Sequence, residues 1–172
     1  HTPEVGGPWS SVVGTWTISG NKAVCAAISL GTASVPLGVA DVTLAATIQY
    51  ASGNLTSGII CRYADNSNYW LVQLNSAASL VQIYDRVAGA YTLRASAAFT
   101  FAAATDYRLV VDVRGALVSA YVNGAASASY ATMATGLTAT VAGLFCDNNG
   151  VTTFDDVVAH RAGAVSVPSG VV

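Results

Sequence analysis

The sequence predicts an all-β protein built as a two-sheet antiparallel sandwich, and three observations carry that expectation. Apolar and polar residues alternate with period two along most of the 172 residues, the pattern of strands with one buried face. Turn formers interrupt the alternation at short intervals. No window long enough for a helix shows an apolar stripe at about 3.6-residue spacing.

The strongest strand is Asp106-Tyr107-Arg108-Leu109-Val110-Val111-Asp112-Val113-Arg114. Tyr107, Leu109, Val111 and Val113 share one face, and Asp106, Arg108, Asp112 and Arg114 the other, as in a half-buried antiparallel strand. Gly115 breaks it, Ala116 to Val122 resumes, and Asn123-Gly124 is a strong hairpin signal. The same test places strands near 11–18, 22–28, 41–50, 57–63, 68–74, 79–86, 90–94, 97–101, 125–130, 139–145 and 152–160. Ser19-Gly20-Asn21, Ser52-Gly53-Asn54, Ala88-Gly89 and Asp147-Asn148-Asn149-Gly150 are the turns between them. About a dozen short strands at this spacing fit a sandwich. One domain over 1–161 is expected, and 162–172, with Pro168-Ser169-Gly170, reads as a linker tail.

Charged residues make up 9% of the chain, against about 25% in an ordinary soluble protein, and much of the 53% hydrophobic content is Ala and Val. Lys22 is the only lysine and Glu4 the only glutamate. A net charge of −2 supplies no basic footprint for nucleic acid or for anionic lipid. Residues 115–146 hold no charge, yet Asn123-Gly124, hydroxyls and glycines interrupt them, so they contain no run of about 20 apolar residues. Neither nucleic-acid binding nor membrane insertion is expected.

Cys25, Cys61 and Cys146 form an odd set with no metal-binding spacing. At most one disulfide can form. The strand-like flanks predict buried, reduced cysteines acting as small hydrophobes, which leans toward assembly in a reducing cytoplasm. The chain shows no signal peptide and no initiator Met, so His1 reads as a processed or truncated start and leaves export open.

Strands 68–74 and 79–86 should pair as a hairpin. With Trp70, Val72, Leu74, Val81 and Ile83 facing the core, Tyr69 falls opposite Arg86, Leu71 opposite Tyr84, and Gln73 opposite Gln82 on the outside. Asp65-Asn66-Ser67-Asn68 is then first a turn, suited to residues that bond nearby backbone. The outward patch of Tyr69, Gln73, Gln82, Tyr84 and Arg86 borders it.

Several short motifs occur in a familiar order. Gly6-Gly7-Pro8-Trp9 is followed by Gly14-Thr15-Trp16-Thr17-Ile18-Ser19-Gly20-Asn21 and by the run from Ile59-Ile60-Cys61-Arg62 to Asn68-Tyr69-Trp70. The strand that starts at Tyr107 and stops at Gly115, then Tyr121-Val122-Asn123-Gly124, Gly143-Leu144-Phe145 and Thr153-Phe154-Asp155-Asp156-Val157, complete the series. From Gly6 to Arg161 the chain resembles the concanavalin A-like (laminin G-like) jelly-roll modules of lectins, glycan-binding modules and phage structural proteins. The resemblance implies a jelly-roll sandwich whose first edge is truncated, because related modules begin one strand earlier. It implies a fold, and the fold hosts many functions.

Each chemistry therefore needs its own residues. A glycosidase needs two carboxylates flanking the bond at about 5–9.5 Å. The glutamate-rich strand motif of the related glucanases is absent, and Asp155 and Asp156, being adjacent, point to opposite faces of a regular strand. Asp85 and Asp112 have no identifiable partner in sequence. His160 closes the last strand, His1 is terminal, and no Gly-x-Ser-x-Gly elbow exists. No catalytic residue and no required cofactor are expected.

Calcium is the one metal considered. Asp65/Asn66/Asn68 and Asp147/Asn148/Asn149 offer oxygen ligands, and laminin G-like modules often carry a rim calcium. Each loop brings a single Asp, so Asx turns explain them equally well. A glycan would use Tyr69 and Tyr84 as stacking platforms and Gln73, Gln82 and Arg86 as hydrogen-bonding groups. Small uncharged faces such as 125–130 and 139–144 suit packing against other subunits. The expected role is a non-catalytic structural module of a larger assembly, homo-oligomeric or joined to other particle proteins. The resemblance suggests a phage virion (capsid decoration, head or tail fibre) or another extracellular surface assembly. The alternative is a lectin-like module for surface glycans.

Overall fold

The computed structural model describes residues 9–25, 30–51, 55–148 and 151–162. The tail beyond 162, the Ser52-Gly53-Asn54 turn and the tip of the 147–150 turn lie outside the described residues. Among the described residues there are strands and no helix.

The front sheet has seven strands. In spatial order they are β1 (Ser10–Val13), β4 (Gly31–Pro36), β13 (Val141–Asn148), β6 (Leu55–Asp65), β7 (Asn68–Asn75), β8 (Leu80–Val87) and β9 (Ala90–Ala98). The back sheet, also of seven, runs β12 (Ala125–Tyr130), β11 (Leu117–Val122), β10 (Tyr107–Arg114), β5 (Val42–Tyr50), β14 (Thr152–Arg161), β3 (Lys22–Cys25) and β2 (Trp16–Ser19). Every pairing between neighbours is antiparallel.

Period-two alternation puts the core between the sheets. Val42, Leu44, Ala46 and Ile48 of β5 and Leu109, Val111 and Val113 of β10 face Ile59, Trp70, Val72, Leu74, Val81 and Ile83 of the front sheet, all in one buried cluster. Trp16 and Phe154 meet at 5.6 Å within it. Asn123 and Gly124 take φ of 52° and 82°, the two left-handed residues that a tight hairpin needs.

Three expected boundaries move. The segment 11–18 is not one strand: at Gly14, φ 78°, the chain leaves β1 in the front sheet for β2 in the back sheet. Residues 90–98 form one strand, and Phe99 and Phe101 instead pack on Tyr107 with ring centres 5.7 and 5.3 Å away. Strand β4 was not expected at all. It lies between β1 and β13 with Thr32, Ala33 and Ser34 all buried, so both faces carry small residues and no polar face marks the period.

The cysteine expectation is corrected for two of the three. Cys25 of β3 and Cys146 of β13 are disulfide-bonded, joining the back sheet to the front sheet through the core. Both side chains point inward, and their Cα atoms are 6.6 Å apart. Cys61 is free and buried, as expected.

Candidate functional site

The β7–β8 register is the expected one: Tyr69 faces Arg86, Leu71 faces Tyr84, and Gln73 faces Gln82. The tight turn at Ala88 and Gly89, φ 49° and 85°, then carries β9 alongside, with Tyr91 opposite Arg86, Leu93 opposite Tyr84 and Ser96 opposite Gln82. On the other side Ile60 lies beside Leu71, and Gly58 sits between Gln73 and Phe145. The outer face of the front sheet is thus a grid of rows running across the strands.

Its inner columns are dry. Ile60, Tyr63, Tyr69, Leu71 and Phe145 make a second buried cluster, with Leu30 and Tyr84 packed against it. Tyr69 is 2% exposed, and Gln73 and Gln82 are buried too, so three of the five nominated residues support the face more than they present it. Their amides form a ladder: Gln73 Nε2 and Asn75 Nδ2 each donate to Gln82 Oε1 at 3.0 Å, and Gln82 Nε2 donates to Tyr84 Oη at 3.0 Å.

The accessible part lies on β8 and β9. Tyr91 and Leu93 are 43% and 48% exposed, with Tyr84 and Arg86 half-buried beside them. Arg86 Nε donates to Gly89 O at 3.1 Å, and Nη1 donates to Asn66 O at 2.7 Å and to the Tyr69 hydroxyl at 3.2 Å. The Tyr69 and Tyr91 hydroxyls share a hydrogen bond of 2.5 Å. The guanidinium carbon lies 4.9 Å from the Tyr91 ring centre and 5.6 Å from that of Tyr69, within cation–π range. Burial, then the bond to Tyr69, pushes the Tyr91 hydroxyl above the usual tyrosine range, so it stays protonated at neutral pH.

Tyr91 and Leu93 escaped the sequence reading, although a signal for them existed. A two-residue Ala88-Gly89 turn fixes the next register, and one more step of the cross-strand argument reaches both.

The other candidates resolve as local structure. Asp65 Oδ1 accepts from Ser67 N at 2.7 Å and both its oxygens accept from Asn68 Nδ2, so its carboxylate is engaged in the turn. The Ser67 backbone bond, then Asn68, holds that carboxyl below its ordinary range. Among the described residues no three His, Cys, Asp or Glu side chains group as metal ligands, and Asn149 lies outside them. Asp85 and Asp112 are held by arginines: Arg94 grips Asp85 with two bonds of 3.0 and 2.7 Å, and Arg114 meets Asp112 at 2.7 Å. The opposite-face expectation for Asp155 and Asp156 is also corrected. A bulge after Asp155 puts Asp156 at φ 47°, and Thr47, the cross-strand partner of Asp155, also bonds Asp156 Oδ2 at 3.5 Å. Both lie on the back sheet's outer face, where Asp155 is 3.8 Å from Lys22. His160 is exposed near the end of β14, opposite Thr43.

Comparison with solved structures decides the fold. The carbohydrate-binding module CBM66 from Bacillus subtilis superposes with a TM-score of 0.75 at 16% identity, over 89% of this chain and 95% of that one. The fold is a two-sheet jelly roll. Galectin LEC-6 of Caenorhabditis elegans shares it (TM-score 0.54, 12% identity, 88% of this chain and 96% of that one). So does the GH43 protein BlXynB of Bacillus licheniformis, at TM-score 0.68 and 14% identity over 90% of this chain. There the jelly roll spans 37% of the longer chain. No family model and no curated protein matches the sequence.

Proposed function

We propose that this jelly roll is a lectin-like carbohydrate-binding module that takes its glycan on the outer face of the front sheet and does not hydrolyse it. The observation that carries the reading is the exposed Tyr91 and Leu93 beside Arg86 and Tyr84, set on a dry, hydrogen-bonded support. A sugar ring presents apolar C–H faces to an aromatic ring and hydroxyls to planar polar groups, and the patch offers both. Structural neighbours that are carbohydrate-binding modules and galectins support the same reading. A non-catalytic role is supported by the arginine pairs that hold Asp85 and Asp112. A disulfide across the core suits an extracellular or surface location.

A glycan array with the wild-type chain and Tyr91→Ala tests the proposal. Binding that falls about tenfold or more in the variant supports it, the scale of a lost stacking contact. An array on which the wild type marks nothing would sink it. A role as a subunit of a larger particle keeps one structural argument, the nine-residue edge strand β9 with Tyr91 and Leu93 exposed along it. Light scattering across a concentration series tests that second reading, and a strict monomer refutes it.

A further inference from the structure

Basic residues in the front sheet are few: Arg62, Arg86 and Arg94. Two of them turn toward the back sheet and are neutralised. Arg62 Nη2 meets Asp41 at 2.8 Å and also donates to Gly115 O, and Arg94 pairs with Asp85 while lying over the Tyr130 ring. Arg86 alone sits on the outer face. It forms no ion pair among the described residues, and its acceptors are carbonyl oxygens and a tyrosine hydroxyl.

A half-buried cation held only by neutral acceptors and ring faces is electrostatically incomplete, since charges removed from water are normally paired. Its position is nevertheless fixed. Carbonyls from two different turns, at Asn66 and Gly89, hold Nε and Nη1, so the group loses little freedom when a ligand arrives. With Nε and both Nη1 hydrogens engaged, Nη2 is the guanidinium nitrogen left to donate a charge-assisted hydrogen bond to a carboxylate or sulfate. Beside it stands the protonated, exposed Tyr91.

The geometry points to an acidic glycan as the ligand: a sugar bearing a carboxylate or sulfate, its oxyanion on Arg86 and its ring on Tyr91. This rests on the glycan-binding reading and adds the charge of the ligand to it.

The test is an array holding neutral, uronic-acid, sialylated and sulfated glycans, probed with the full chain, Arg86→Gln and Arg86→Lys. A bound glycan is then titrated against its own methyl ester or desulfated form at low and high salt. The expected result is that acidic spots bind, the neutralised partner binds about tenfold or more weakly, and salt narrows the gap. Arg86→Gln should abolish the preference, and Arg86→Lys should keep part of it because charge remains without the guanidinium held in place by the two turns. Whether carboxylated or sulfated spots dominate identifies the oxyanion. Neutral spots bound as tightly as acidic ones would overturn the inference and leave glycan binding standing. So would equal losses for acid and ester in Arg86→Gln, because a clamp that only holds the two turns would weaken both alike. A wild-type chain that marks no spot would remove the glycan reading itself.

Discussion

Arg86 stands directly across the β7–β8 ladder from Tyr69 and donates Nη1 to its hydroxyl at 3.2 Å, while Tyr69 is only 2% exposed. The pair divides the face into a support and a contact surface. Tyr69→Ala should therefore cost about 3–5 kcal/mol of stability, the range for removing a buried aromatic. Tyr91→Ala, on an exposed edge, should cost under about 1 kcal/mol and act on binding. Urea melts of both variants check this, and equal destabilisation would show that Tyr91 is also a structural residue.

The Cys25–Cys146 bond closes a span of 121 residues between the two sheets. In the chain-entropy account a loop of that size is worth about 5 kcal/mol at most. Cys146→Ser, or the wild type under reductant, should lose several kcal/mol by denaturant midpoint. Unchanged midpoints with and without reductant would mean that the two thiols are not joined in solution.

Gly58 and Gly143 lie on the outer face, and a Cβ at either would run into backbone of the adjacent strand, the Val72 carbonyl for Gly58 and the Ala33 carbonyl for Gly143. Gly143→Ala should cost about 1–3 kcal/mol or more, since the main chain cannot rotate away as a side chain could. Gly124→Ala is the contrast: no atom lies within 4 Å, and only its φ of 82° opposes the change. If Gly143→Ala melted with the wild type, the strands would be further apart than described.

Burial, offset only in part by the charge of Arg62, pushes the Cys61 thiol up to about 12 from 9.0. Between those values the unfolded chain has released a proton that the folded chain keeps. The contribution is therefore full below about pH 9 and is lost as pH rises toward 12, by about 4 kcal/mol. Cys61→Ala should lose stability less steeply than the wild type over that window in alkaline urea melts. Parallel curves would show a thiol that titrates normally. At pH 8 the wild-type thiol should also resist alkylation until the protein unfolds.

The candidate face was half legible in the sequence. Strict alternation in 68–74 and 79–86 set which side chains share a face, and with the register it placed Tyr69, Gln73, Gln82, Tyr84 and Arg86 together. Alternation says nothing of how open a face is. The outer face is as dry as a core at Tyr69 and Phe145 because cross-strand neighbours close over them, and that depends on β13, which is remote in sequence. The exposed part of the face consequently lies one strand further out, at Tyr91 and Leu93.

By itself the sequence determined the fold class, the hairpins at 68–87 and 107–122, and the inward sets Trp70, Val72, Leu74, Val81, Ile83 and Tyr107, Leu109, Val111, Val113, because period two and turn chemistry act between near neighbours. Tertiary structure alone decided three further things. It placed β4 between β1 and β13, where small residues leave no periodic mark. It brought Cys25 to Cys146, and it put Asp155 and Asp156 on one face through a bulge. Each depends on strands far apart in the chain and adjacent only in the sandwich, a relation that local pattern cannot encode.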